Sequence, residues 1–139
     1  MDISNHEILF QSKGNCDLID ITDRVNSIIK EAGLDIGHVL LFVPGATGGL
    51  TTIEYEGGLV RDFRELWEKL VPSAFNYHHN ERWGDGNGHS HLRASLIGPS
   101  LTIPFGEGRL RLGTWQQVVF IDFDNRPRRR TVAVQICGR

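Results

Sequence analysis

Between Tyr77 and Pro99 the chain reads YHHNERWGDGNGHSHLRASLIGP, and this stretch limits what the rest can build. It holds His78, His79, His89 and His91, four of the six histidines, interleaved with Glu81, Asp85, Asn87, Ser90 and the glycines Gly84, Gly86 and Gly88. Almost nothing before Leu92 is apolar, and glycine at alternate positions weakens helix and strand alike. The pattern predicts a shaped loop outside the core that carries nitrogen and oxygen ligands. Leu92–Ile97 then reads as either one helical turn or a short strand.

The flanking segments supply the core. Residues 3–12 and 16–21 predict two strands joined by a hairpin turn at Lys13-Gly14-Asn15. Val25, Ile28, Ile29 and Ala32 recur at helical spacing, with Thr22 as N-cap and Gly33 as terminator. His38–Val43 is a continuous apolar run suited to a buried strand, and Leu50–Tyr55 is a second β-like run. Leu59, Phe63, Leu66, Trp67 and Leu70 mark a second amphipathic helix that Pro72 ends. Leu101–Phe105 and Arg109–Leu112 flank a Gly106-Glu107-Gly108 turn, and Val118–Phe123 and Thr131–Ile136 complete a set of about eight strands. The expectation is a single α+β domain over residues 1–139, a largely antiparallel β-sheet or sandwich with two helices.

Composition excludes several roles. The 139 residues are 40% apolar, enough for a core, and the net charge of −2 offers no basic excess for nucleic acid. No apolar run approaches a membrane span, and the N-terminal residues lack a signal-peptide pattern. Cys16 and Cys137 belong to no CxxC pair and fit a reducing cytoplasm.

The chemistry concentrates in the histidine window. His89-x-His91 puts two imidazoles on one side if the backbone is extended, and His79 approaches from across the loop. Three imidazoles plus water is a catalytic metal pattern, with zinc or magnesium as candidate ion and Glu54, Glu81 or Asp85 as carboxylate ligand or base. A polar loop without metal is the competing reading. The Gly45–Gly49 amides and Thr47 could line an anion pocket. Arg93, Arg109 and one arginine of the Arg128-Arg129-Arg130 run are candidate phosphate clamps, although that run also reads as a charged hairpin end beside Asp122 and Asp124.

The runs His91–Ser100 and Gly108-Arg109-Leu110-Arg111-Leu112-Gly113-Thr114-Trp115-Gln116 resemble the signature of the YjbQ-like family, as do Tyr77–Asn80, Asp85–Asn87 and the segment from Val43 to Glu54. The resemblance implies a trimeric α+β fold with pockets near subunit boundaries. It also implies thiamine-phosphate synthase activity, joining a pyrimidine pyrophosphate to a thiazole phosphate. Family positions fall on His79, His91, Glu54 and Gly86-Asn87. This chain has Gly45-Ala46 where the family usually has His-Thr, and Ile53 where it usually has Asn. His89 could supply the lost imidazole. The expected function is a metal-binding enzyme acting on a phosphorylated small molecule. His79, His89 and His91 would hold the ion, Glu54, Asp85 and Asn87 would serve catalysis, and Thr47 and an arginine would receive phosphate. A non-catalytic trimeric binding protein and a metal-dependent hydrolase are the alternatives.

Overall fold

Two antiparallel sheets share one core, and helices cover the outer face of the smaller sheet. The computed structural model describes residues 1–139. In order they form β1 (Asp2–Ser12), β2 (Asp17–Asp20), α1 (Thr22–Ala32), β3 (Ile36–Phe42), β4 (Gly48–Ile53), α2 (Gly57–Leu70), α3 (His78–Trp83), α4 (Gly88–Ile97), β5 (Ser100–Gly106), β6 (Arg109–Leu110), β7 (Gln117–Asp122) and β8 (Arg128–Gly138). The larger sheet has the order β1-β8-β3-β5-β6 and the smaller β2-β7-β4. This is the expected α+β class, with four helices instead of two.

Side-chain alternation explains the layers. Along β8, Val132, Val134 and Ile136 face inward and are buried, while Thr131, Ala133 and Gln135 face out. Strand β7 is buried on both faces, so its VVFI run is continuously apolar. Val118 and Phe120 join the core between the sheets, to which α1 adds Val25 and Ile29. Val119 and Ile121 join a second core with Trp67 of α2 and Ala94 of α4. Helix α1 ends as expected at Gly33, with φ at +69°. Its N-cap is Ile21 instead of Thr22, whose hydroxyl accepts from Val118 N at 2.8 Å and donates to Asp20 Oδ1 at 2.7 Å. Helix α2 starts at Glu56, which accepts from the Gly58 and Leu59 amides at 2.7 and 2.8 Å. No helix is long and apolar enough to cross a membrane.

Two expectations are corrected, and a further crossing is found. Lys13-Gly14-Asn15 is no hairpin turn, because β1 pairs with β8 in one sheet and β2 with β7 in the other. The break after β3 also crosses between sheets, since β3 pairs with β5 and β8 while β4 pairs with β7. The histidine window is two helices, not a loop, and α4 buries His89, Ser90, Arg93 and Ala94. The glycines stand at helix boundaries: Gly84 terminates α3 with φ at +70°, Gly86 bends at +67°, and Gly88 opens α4.

The chain passes between the sheets six times, and three of these crossings are at 13–16, 43–47 and 123–127. All three crossings lie at one end of the sandwich, because Ser12 is paired with Arg128, and Asp17 and Gly48 are both paired with Asp122. They are tied together by Asn15 N to Asp124 O at 2.6 Å and Phe123 N to Thr47 O at 2.9 Å.

Candidate functional site

The third crossing carries the least expected residues. Asp122 and Asp124 have the same strand parity as the core residues Val118 and Phe120 and are fully buried. Arg128 and Arg130 have the same inward parity as Val132, Val134 and Ile136. Buried charge is tolerated only when paired and hydrogen-bonded. Arg130 meets Asp122 through two parallel bonds, Nε to Oδ2 and Nη2 to Oδ1, each 2.7 Å. Its Nη2 also donates to Thr47 Oγ1 at 2.7 Å.

Asp124 is the hub. Its Oδ1 accepts from Asn87 Nδ2 at 3.2 Å and Asn125 N at 2.8 Å. Its Oδ2 accepts from Thr47 Oγ1 at 3.1 Å and lies 2.7 Å from Arg128 Nε, an ion pair without hydrogen-bond alignment. Burial pushes the Asp124 carboxyl up, but the Asn125, Asn87 and Thr47 hydrogen bonds and the Arg128 charge together hold it below the usual value of 3.8.

Above this network lies a cleft of about 490 Å³ whose lining includes Pro44–Thr47, Asp85, Asn87, His91 and Arg128–Thr131. His91 stands beside His79, with ring centroids 4.4 Å apart and planes inclined at 41°. His79 Nδ1 lies 3.6 Å from Asp85 Oδ1. Burial, and then the neighbouring His79, hold the His91 imidazole below its usual value. Asn125 Nδ2 donates to Asp85 O at 2.8 Å, and Ser90 Oγ donates to Phe123 O, so the α3–α4 segment is docked onto the third crossing. The Asn87 amide is oriented by the carboxylate it donates to, and its buried Oδ1 has no partner.

Several expected site residues lie elsewhere. His89 is two positions from His91 on a helix, about 200° around the axis, so it points away from the cleft. It is buried with its ring against Tyr77, and burial, then Arg93, keep it neutral-leaning. His79, His89 and His91 therefore do not converge, and no three His, Cys, Asp or Glu side chains meet around one point. Arg93 is buried in the second core, where it donates to Val71 O at 2.9 and 2.7 Å and Glu68 Oε1 at 2.8 Å, pinning α4 to the end of α2. Arg109 sits on β6, near the Ile36 end of β3, whereas the cleft lies at the Phe42 end. Glu54 follows the far end of β4, roughly 20 Å along the strand from Thr47. Thr47 is at the site, but its hydroxyl is spent on Asp124 and Arg130. Asp85, Asn87, His91 and Arg128 line the cleft together, and His79 stands beside His91.

In the sequence Arg130 reads as one of three interchangeable candidate clamps, and Asp122 and Asp124 only as neighbours of a charged hairpin end, whereas the structure buries both carboxylates. Their signal is charge at inward parity on two otherwise apolar strands, readable once the strand phase is set by Val118 and Val132.

The YjbQ-like UPF0047 protein family profile matches residues 6–139. A UPF0047 protein of Archaeoglobus fulgidus is 39% identical over 129 residues, covering 93% of this chain and 98% of the relative. The UPF0047 protein YugU of Bacillus subtilis is 32% identical over 123 residues, 88% of this chain and 90% of that protein. Among solved structures, a YbjQ-like protein of unknown function from Sulfolobus solfataricus superposes with a TM-score of 0.93 at 30% identity, covering 99% of both chains. A YjbQ/UPF0047 protein from Clostridium acetobutylicum gives a TM-score of 0.86 at 34% identity, over 95% of this chain and 99% of that one.

Proposed function

The chain belongs to the YjbQ-like (UPF0047) family, and we propose that its cleft receives a phosphorylated small molecule and acts on it as an enzyme. One observation carries the reading: the Arg128 guanidinium, the His91 imidazole and the Asp85 carboxylate line a single cleft where three chain crossings meet, with His79 standing beside His91. The specific reaction is a thiamine-phosphate synthase-like transfer, in which a pyrimidine pyrophosphate joins a thiazole phosphate and pyrophosphate departs. Arg128 offers charge to a phosphate, His91, held below its usual value, stands at the cleft wall to take a proton, and Asp85 lies 3.6 Å from His79 beside it.

A divalent ion, zinc or magnesium, belongs to the same proposal. Two imidazoles and a carboxylate are a donor set that zinc accepts, and the buried His79 Nδ1 lacks a hydrogen-bond partner. As placed, these donors do not meet around one point. His79, His91 and Asp85 would hold the ion, which would neutralise charge on the phosphates. The proposal also includes a homotrimer, for which the exposed face of the larger sheet is available.

A second reading, a binding protein without catalysis, is favoured by Gly45-Ala46, which line the cleft without the side-chain chemistry of the family's usual His-Thr. Incubation with the two phosphorylated precursors, followed by product analysis, separates the readings. Turnover that falls in His91→Ala and Arg128→Gln supports the enzyme. Turnover unchanged in both places the chemistry elsewhere. Pyrophosphate binding without turnover leaves the binding protein. Elemental analysis of untagged protein checks the ion; less than about a tenth of an equivalent, with no uptake of added zinc, removes it.

A further inference from the structure

Three consecutive arginines reach one cleft, yet they are not equivalent. Arg130 is largely committed: its side chain is only 10% exposed, and its Nε and Nη2 are bonded to Asp122 and Thr47. Arg129 has the outward parity of β8, is exposed, and has no ion pair to fix its rotamers. Arg128 differs from both. Its side chain is 35% exposed, and its Nε lies 2.7 Å from Asp124 Oδ2, a charge contact without hydrogen-bond alignment on a carboxylate with no exposure at all. A guanidinium held by the charge of an immobile buried partner keeps its two Nη groups for something else, and it makes no other ion pair. That outer edge is the face that matches two oxygens of a tetrahedral phosphate.

Resting on the reading of the cleft as a phosphate site, we propose that Arg128 is the anion receptor and that Asp124 is its positioning residue, holding the guanidinium so that its Nη edge faces the cleft. The anchor is rigid because Asp124 is itself over-determined. Asn125 N, Asn87 Nδ2 and Thr47 Oγ1 fix its carboxylate from the third crossing, the start of α4 and the second crossing. An arginine pre-ordered in this way loses less rotamer entropy on binding than a free surface arginine. The preferred ligand class is a phosphomonoester or pyrophosphate, whose oxygens accept both Nη groups. A carboxylate also accepts a fork but brings less charge.

The experiment is calorimetric titration of inorganic pyrophosphate into the full-length wild type, Arg128→Gln, Arg128→Lys, Asp124→Asn and the Arg128→Gln/Asp124→Asn double variant. Arg109→Gln, on the distant β6, controls for net charge. Arg128→Gln should weaken binding by about tenfold or more, and Arg109→Gln by less than about twofold. Arg128→Lys keeps the charge but has one nitrogen to divide between Asp124 and the anion and no Nη edge, so it should lose nearly as much as Arg128→Gln. Asp124→Asn should also weaken binding, and the double variant should bind no worse than Arg128→Gln alone, because Asp124 acts through Arg128. Additive losses in the double variant would reduce Asp124 to a structural role and overturn the proposal. If Asp124→Asn does not fold, Arg128→Lys decides: wild-type affinity there overturns the anchoring. Wild-type binding that Arg128→Gln leaves intact sinks the receptor assignment but spares the phosphate reading. No pyrophosphate binding by the wild type removes that reading and this proposal together.

Discussion

Arg130 and Asp122 form a pair that cannot be halved. Asp122 has no exposure, and both its oxygens are taken by one guanidinium. Arg130→Ala would strand that carboxylate in the core, and we expect a loss of about 3–5 kcal/mol in urea unfolding. Arg129→Ala, on the exposed side of the same strand, should change stability by less than about 0.5 kcal/mol. Asp124 makes the pH dependence of the fold testable. Its carboxyl lies below 3.8 in the folded chain, so it stabilises the fold above the unfolded value and that contribution is lost as pH falls through the folded value. The urea midpoint of the wild type should therefore drop faster than that of Asp124→Asn as pH falls below about 4, with the two curves converging once the folded carboxyl is protonated. Parallel curves would mean that the carboxyl is not held low.

At the level of elements, glycine is the informative residue because its neighbours differ. Gly57 and Gly88 both open helices, where alanine is ordinarily better by up to about 1 kcal/mol. A Cβ on Gly57 would meet nothing within 4 Å, so Gly57→Ala should stabilise α2 slightly. A Cβ on Gly88 would lie 2.7 Å from Tyr77 Cβ, an atom fixed by the backbone. Gly88→Ala should therefore cost about 1–3 kcal/mol in thermal or urea unfolding, despite the gain in helix propensity. The same residue explains what was legible beforehand. Helices α1 and α2 announce themselves through apolar periodicity, and β3, β7 and β8 through apolar runs. Helices α3 and α4 do not, because α4 buries Gly88, His89, Ser90 and Arg93, residues that read as polar surface. Their burial is made possible by tertiary partners: Val71 O for Arg93 and Phe123 O for Ser90. Reading the window as extended then put His89 beside His91, and the helix separates them. His79, His91, Asp85 and Asn87 could be picked out by residue type alone. Asp124 could not, since its role depends on three crossings meeting.

Across the whole molecule one surface lacks a cover. The smaller sheet is packed on both faces, and the larger is packed only on its inner face. The outer face of the larger sheet carries Ile3, Leu9, Ile36 and Phe42, with exposures of 65, 60, 45 and 43%. Across β1, β8 and β3 runs a shallow groove of about 570 Å³, lined by Leu40, Phe42 and Ala133 with Asn5 and Gln135 at its sides. Apolar residues at alternate positions on adjacent strands form the kind of surface that subunits bury. The groove adjoins the cleft, because Phe42 leads into Val43 and Ala133 lies two residues from Thr131, both cleft-lining residues. A copy seated there would bring its own side chains towards Arg128 and narrow the cleft mouth. If the homotrimer uses this face, a single buried charge without a partner should dissolve it. Sedimentation equilibrium of the wild type should give three times the 15.6 kDa chain mass, and Phe42→Glu should sediment as a single chain with unchanged circular dichroism. A wild type that sediments at one chain mass excludes the trimer. A trimer that survives Phe42→Glu moves the interface to another face and separates assembly from the cleft.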